Sequence, residues 1–263
     1  MDISTSIIVV APTFYATIDD IRYELAKECC REAAKAGIHL LLIDASPIDS
    51  VARELTECGR VGAQEFVLVQ RQSSSGKKGA ALREGIAFAA ELLKDSGGFV
   101  AFQEPEKIGM ICHWKKVVEF MMETKADICN PRRTPESFIH SYPIEQWHSE
   151  QFANLYLDSL AKLTGFPSVD WTMGPIAFKA TLAEHWIKYE GELWDAQIVP
   201  MVRAQRWHEA KVVSYVIDYK QPSTMKQEEE GNPKWSEKRL NQLNFLFEHV
   251  GNALKETVAP CWW

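Results

Sequence analysis

Short runs of β-branched and apolar residues recur along this chain, each separated from the next by an amphipathic stretch. Residues 7–11, 38–43, 66–69, 99–102 and 126–129 read as strands, and residues 17–36, 48–58, 78–94 and 109–124 read as helices. In the third helix Leu82, Ile86, Ala89, Ala90 and Leu93 fall on one face. Strands that are apolar almost throughout must be covered on both faces, and a helix-length connection returns the chain for parallel pairing. The expected class is therefore α/β, a mostly parallel sheet flanked by helices. With 263 residues, 46% of them apolar, the chain can fill the core of one large domain, or of one domain with a modest substrate lobe.

After about residue 130 the pattern loosens. Asn130-Pro131-Arg132-Arg133-Thr134-Pro135 reads as a break in regular structure. A helix over 146–163, a turn at Gly165-Phe166-Pro167, a short strand over 175–178, a helix over 194–206 and a strand over 212–217 follow. Residues 226–231 read as a mobile loop. Asn232-Pro233 then opens a last helix, with Asn as N-cap and Pro at the first position. Its stripe of Leu240, Leu243, Phe247, Val250 and Leu254 must bury against the body of the chain or, in a homodimer, against a partner subunit.

The formal net charge of −7 argues against nonspecific nucleic-acid binding, which needs a basic surface. The first six residues carry no basic segment, and no apolar run approaches the ~18 residues of a membrane span. A soluble, cytoplasmic protein with no integral membrane part is expected. The six cysteines show no CxxC and no metal-ligand spacing, which points to reduced thiols.

Chemistry is concentrated at strand ends, where such sheets bind ligands. Gly76-Lys77-Lys78-Gly79 opens a helix with close backbone approach and compact positive charge, a combination suited to phosphate. The strand over 99–102 ends in Gln103-Glu104-Pro105-Glu106-Lys107, and other strand ends carry Pro12-Thr13, Asp44-Ala45-Ser46 and Arg132-Arg133. Asp44 either accepts hydrogen bonds from a ligand or takes part in capping the next helix with Ser46. Arg132 and Arg133 either bind phosphate or an acidic acceptor, or form a solvated pair. Five tryptophans of the second half, 147, 171, 186, 194 and 207, serve either sugar stacking or core packing.

Pro12-Thr13, Ile43-Asp44-Ala45-Ser46-Pro47-Ile48-Asp49 and Lys78-Gly79-Ala80-Ala81-Leu82-Arg83-Glu84-Gly85 occur in that order. They resemble the nucleotide-sugar half of GT-A glycosyltransferases, especially the family 2 enzymes and relatives such as glucosyl-3-phosphoglycerate synthases. Asp170-Trp171-Thr172-Met173-Gly174-Pro175 and Trp194-Asp195 are similar to the acceptor-side segments of that group, and the likeness covers roughly residues 5–220. It implies a nucleotide-sugar-binding half over 1–131, an acceptor-side half over 132–220, and a C-terminal loop and helix over 221–263 that packs or oligomerises. It further implies transfer of a sugar from a UDP- or GDP-sugar to a small or peptide hydroxyl acceptor. Pro12, Thr13, Asp44, Ser46, Lys77, Lys78, Gln103 and Glu104 would hold the donor. Asp195 would act as base, Asp170 would face the acceptor, and Arg132, Arg133 and Trp171 would contact it.

The chain departs from the resemblance at the fourth strand, where Glu104-Pro105-Glu106 replaces the usual Asp-x-Asp. Mg²⁺ or Mn²⁺ held through Glu106 or Glu104, and neutralisation of the diphosphate by Lys77, Lys78 and Lys107 without a metal, both fit that sequence. Two other readings share the sheet. One is a degenerate module that binds nucleotide without turnover, and the other is a sugar-1-phosphate nucleotidyltransferase, whose glycine-rich loop after the first strand is missing here.

Overall fold

A computed structural model describes residues 6–256; Cys261, Trp262 and Trp263 lie outside the described residues. The strands of the main sheet are β1 (Ile7–Thr13), β2 (His39–Asp44), β5 (Val67–Arg71), β6 (Phe99–Phe102), β7 (Ile128–Arg133), β8 (Ile176–Lys179) and β9 (Val212–Ile217), and β3 (Arg60–Val61) pairs with β4 (Gln64–Glu65) in a small hairpin. The sheet order is β5-β2-β1-β6-β8-β7-β9. All pairings are parallel except those of β8, which runs antiparallel to both β6 and β7. The expected α/β class is observed, with apolar cores on the two faces of the sheet.

Helices α1 (Ile21–Ala36), α2 (Asp49–Cys58), α3 (Lys78–Leu93) and α4 (Trp114–Thr124) connect the first strands, and a 3-10 turn at Ile108–His113 leads into α4. The second half adds α5 (Pro135–Ser141), α6 (Ile144–Lys162), α7 (Glu184–Ile187), α8 (Asp195–His208), α9 (Ser223–Glu229) and α10 (Pro233–Lys255). Two expectations are corrected. The Asn130–Arg133 segment is not a break but the end of β7. Strand β8 pairs only with Ile128 and Cys129, so beyond them that side of β7 is open and Pro131 interrupts no ladder there. Most of the segment expected as a mobile loop belongs to α9, where Met225 and Glu229 are buried.

The N-cap of α10 is as the sequence implies: Asn232 accepts from the Lys234 amide at 3.1 Å. Helix α10 docks in cis against α6 and α8: of its expected stripe Val250 and Leu254 are buried and Phe247 partly so, Leu246 is buried beside them, and Leu240 stays 63% exposed. Among the described cysteines, all are free, with 29, 30 and 129 buried. No helix among the described residues is long and apolar enough to cross a membrane.

Helix α3 lies close on the sheet at Gly85, where an added Cβ would meet Val10 Cγ1 at 2.4 Å and Ile43 Cγ1 at 2.8 Å. Gly85→Ala is expected to overpack this contact and lower stability by about 1–3 kcal/mol, read as a lower urea midpoint. An unchanged midpoint would contradict the packing.

Candidate active site

Parallel pairing aligns the C-terminal ends of β5, β2, β1 and β6, and two cavities open along that edge. One, of about 460 Å³, is lined by Pro12, Thr13, Tyr15, Arg22, Lys77 and Lys78 among others. The second, of about 280 Å³, lies on the side of the second half and is lined by Lys107, Arg133, Tyr142, Trp194, Gln197 and Tyr219 among others. Lys78, Glu104 and Glu106 line both. These three side chains form the shared wall.

The motif over residues 78–85 builds this arrangement residue by residue. Gly79 touches the 191–192 backbone so closely that a Cβ would fall 2.0 Å from the Gly191 carbonyl. Arg83 donates to the carbonyls of Tyr189 at 3.0 Å and Gly191 at 2.6 Å and pairs with Glu192. Glu84 accepts from the amides of Ser73 and Ser74 at 3.1 and 3.3 Å, closing the turn before the helix. Lys78 is thereby aimed across the cleft, where it pairs with Glu104 and donates to Gln197 Oε1 at 3.2 Å.

Glu104 is the hub. Its Oε2 faces Lys107 Nζ at 3.2 Å, and its Oε1 accepts from Gln197 Nε2 at 3.2 Å as well as from Lys78. Burial by itself would raise this carboxyl, but the Lys107 and Lys78 ammoniums outweigh it and hold Glu104 well below the usual carboxylate range. Glu106 moves the other way, raised by burial and by the negative charge of Glu104. Two carboxylates two residues apart are thus driven to different protonation behaviour.

At Glu104 the surroundings do not suit a divalent cation. Glu104 already carries two ammoniums and an amide, so a dication there would face Lys78 and Lys107 at close range. No group of three or more His, Cys, Asp or Glu among the described residues is arranged to hold a metal.

Of the residues expected from sequence, Pro12, Thr13, Lys77, Lys78, Glu104, Glu106 and Arg133 reach the cavities. Asp44 and Ser46 do not; both are fully buried. Asp44 accepts from Thr13 Oγ1 at 2.8 Å and Ser46 Oγ at 2.6 Å and pairs with Arg71 at 2.8 Å, tying together three adjacent strand ends. Gln103 accepts from Trp114 Nε1 at 2.6 Å and donates to the Lys107 carbonyl at 3.2 Å, so it supports the 104–107 turn from below.

Asp195 lines neither cavity. It accepts from the Tyr189 hydroxyl at 2.9 Å and the Leu193 amide at 3.0 Å, pinning the 189–194 loop. Asp170 is buried against Arg133, at 2.7 and 2.8 Å, and accepts from Asn154 at 3.0 Å. Arg132 donates to Ser168 at 3.1 Å. Trp171 is 1% exposed and its indole N–H donates to Asp158, so it is a core residue. Among the other second-half tryptophans, Trp186 stacks on Phe178 with centroids 3.8 Å apart, whereas Trp194 does line the second cavity.

Sequence reasoning missed Arg22, Tyr15, Gln197, Tyr142, Tyr219 and Trp235, which line these cavities. Only Trp235, beside Lys238 and Arg239 at the start of a helix, gave a visible aromatic and cationic signal.

No protein-family model and no curated protein matches the sequence. Solved structures do. Glucosyl-3-phosphoglycerate synthase from Mycobacterium tuberculosis in complex with phosphoglyceric acid aligns with a TM-score of 0.59 at 10% identity, covering 95% of this chain and 83% of that one. The same enzyme with Mn²⁺ and UDP-glucose gives 0.58 at 10% identity, covering 95% and 82%. A mycobacterial protein aligns with 0.56 at 14% identity over 95% and 76%. At such identities the likeness is one of architecture, and the chain has the GT-A fold.

Proposed function

We propose that this protein is a nucleotide-sugar glycosyltransferase that moves a sugar from a UDP- or GDP-sugar to a hydroxyl acceptor. The observation that carries the reading is the pair of cavities meeting at one wall of Lys78, Glu104 and Glu106. A donor in the first cavity would place its diphosphate by Lys77 and Lys78, whose ammoniums favour anions. An acceptor in the second would meet the reacting carbon at the shared wall. Support comes also from the solved neighbour that binds UDP-glucose on the same fold.

Within this reading Glu106 takes the place that the sequence offered to Asp195. It lines both cavities, and its raised proton affinity suits a group that accepts the acceptor's proton. Asp195 acts instead by holding the loop that Arg83 clamps. The leaving diphosphate is neutralised by Lys77 and Lys78.

Thermal-shift titration tests both the ligand class and the metal. UDP or GDP is expected to raise Tm by mass action, with the same shift in EDTA as in Mn²⁺. No shift with either nucleotide would sink the transferase reading. A shift seen only with Mn²⁺ would overturn the metal-free donor site and leave the transferase reading in place.

One observation favours the non-catalytic alternative: the charge at Glu104 is consumed by Lys78, Lys107 and Gln197. Nucleotide release from UDP- or GDP-sugars separates the two readings, because a binding module gives a thermal shift without turnover.

A further inference from the structure

Three neutral side chains of the acceptor-side cavity carry an enclosed polar atom left without a hydrogen bond. The hydroxyls of Tyr142 and Tyr219 and Oε1 of Gln146 are enclosed and make no hydrogen bond. All three side chains line the cavity. Tyr142 is 2% exposed, Tyr219 1% and Gln146 8%. Such groups are paired as a rule, and one left alone is destabilising. They converge from three elements: the C-cap of α5, the first turn of α6 and the residues just past β9.

The cations on the same walls are largely engaged. Lys107 sits on Glu104, Arg133 on Glu150 and Asp170, and Arg239 on Glu229, while Lys78 serves the donor side in the proposed reading. Lys238 lies over the Trp235 ring, 4.1 Å from its centroid, where this cavity adjoins a neighbouring cleft. Glu104, Glu106, Glu150 and Glu229 also face the cavity. A carboxylate or phosphate entering here would find few free cations and several negative charges.

The chemistry of the unpaired atoms selects further. Gln146 Oε1 can only accept, since its Nε2 already donates to Glu150 at 2.5 Å, whereas a tyrosine hydroxyl both donates and accepts. An anion, which only accepts, would leave Gln146 Oε1 unpaired. A hydroxyl group can serve all three. Trp194 and Trp235 supply aromatic surface on the same walls.

We propose that this cavity takes a neutral polyhydroxylated acceptor, a free sugar or a glycoside, whose hydroxyls complete Tyr142, Tyr219 and Gln146. The proposal rests on the transferase reading and names its acceptor class.

The experiment has two stages. UDP- and GDP-linked glucose, galactose, mannose and N-acetylglucosamine are first screened for nucleotide release. No release from any of them overturns the transferase reading, and this proposal with it. With a working donor, methyl glycosides and disaccharides are then compared with glycerate and phosphoglycerate. The neutral compounds are expected to stimulate release at least about tenfold and the acids not. Equal or better stimulation by the acids, or none by the neutral compounds, overturns this proposal alone.

Tyr142→Phe and Tyr219→Phe check the site. Each is expected to raise the acceptor KM by between about three- and about tenfold, the value of one lost hydrogen bond. Tyr219→Phe deletes a hydroxyl that nothing in the chain bonds, so its Tm should hold or rise, which separates lost contact from unfolding; Tyr142 also faces the Arg133 guanidinium, so Tyr219→Phe is the variant that reads the fold. Unchanged acceptor KM in both variants would show that these hydroxyls do not meet the acceptor.

Discussion

Arg133→Leu is expected to destabilise the protein by about 3–5 kcal/mol. Arg133 is 4% exposed and holds Asp170 through two hydrogen bonds, Glu150 at 2.9 Å and Thr172 at 3.1 Å, with its guanidinium 3.6 Å over the Phe138 ring. Leucine would leave two carboxylates buried without a cation, and the desolvation of each would no longer be offset. Denaturant titration should show a lower midpoint. Adding Asp170→Asn and Glu150→Gln to Arg133→Leu should recover part of the loss, since the uncompensated charges are then gone. A triple variant no more stable than the single one would mean that packing over Phe138, not charge, dominates.

The same pair gives an acid limit. Burial would raise the Asp170 carboxyl, but Arg133 outweighs it and brings its pKa from 3.8 down to about 2. A carboxyl depressed in the folded state contributes stability that is full above its unfolded pKa and is lost as pH falls through the folded one. Stability at pH 5 should therefore exceed that at pH 2 by an Asp170-dependent increment of about 2 kcal/mol. Urea midpoints of the wild type and Asp170→Asn across that interval measure it. Parallel curves for the two proteins would count against the pairing.

Lys78→Met is expected to have the largest effect on turnover, lowering kcat/KM for the donor by about 100- to about 1000-fold. In the proposed reading the ammonium faces charge that grows as the diphosphate leaves, so its worth is greater in the transition state than in the bound donor. Its position is unusually determined: Arg83 and Gly79 lock the start of α3 against the 189–192 loop, and Glu104 and Gln197 hold the ammonium itself. Lys77, exposed at the N-cap, should contribute less, with Lys77→Met raising donor KM by about three- to about tenfold. Initial rates of nucleotide release measure both. Equal losses in the two variants would show that general positive charge, not the placement of Lys78, matters.

Local signals carried well into the structure where one face of an element decides its fate. The 99–102 and 212–217 strands begin and end where the apolar runs place them, and the Asn232-Pro233 start of α10 follows from cap chemistry that involves only adjacent residues. The Lys78–Gly85 motif opens a helix as read, because its glycines and helix formers act locally. Expectations went astray where a distant neighbour sets the answer. Pro131 was read as a break because its cost depends on which side of β7 is paired, and that depends on how far β8 extends.

The candidate site divides along the same line. The residue types at the strand ends, and their approach to one edge of the sheet, follow from the alternation of strand and helix along the chain. Which of them face the ligand does not. Asp44 and Asp170 are turned inward by Arg71 and Arg133, and Asp195 by Tyr189, while Lys78 finds Glu104 across 26 residues and Gln197 across 119. A charged side chain goes to the partner that best offsets its desolvation. Sequence alone determined the sheet, its helices and the polar edge where a ligand would bind. The partner of each charge, and with it the direction of each carboxylate, was decided only when packing brought segments remote in the chain within hydrogen-bond reach.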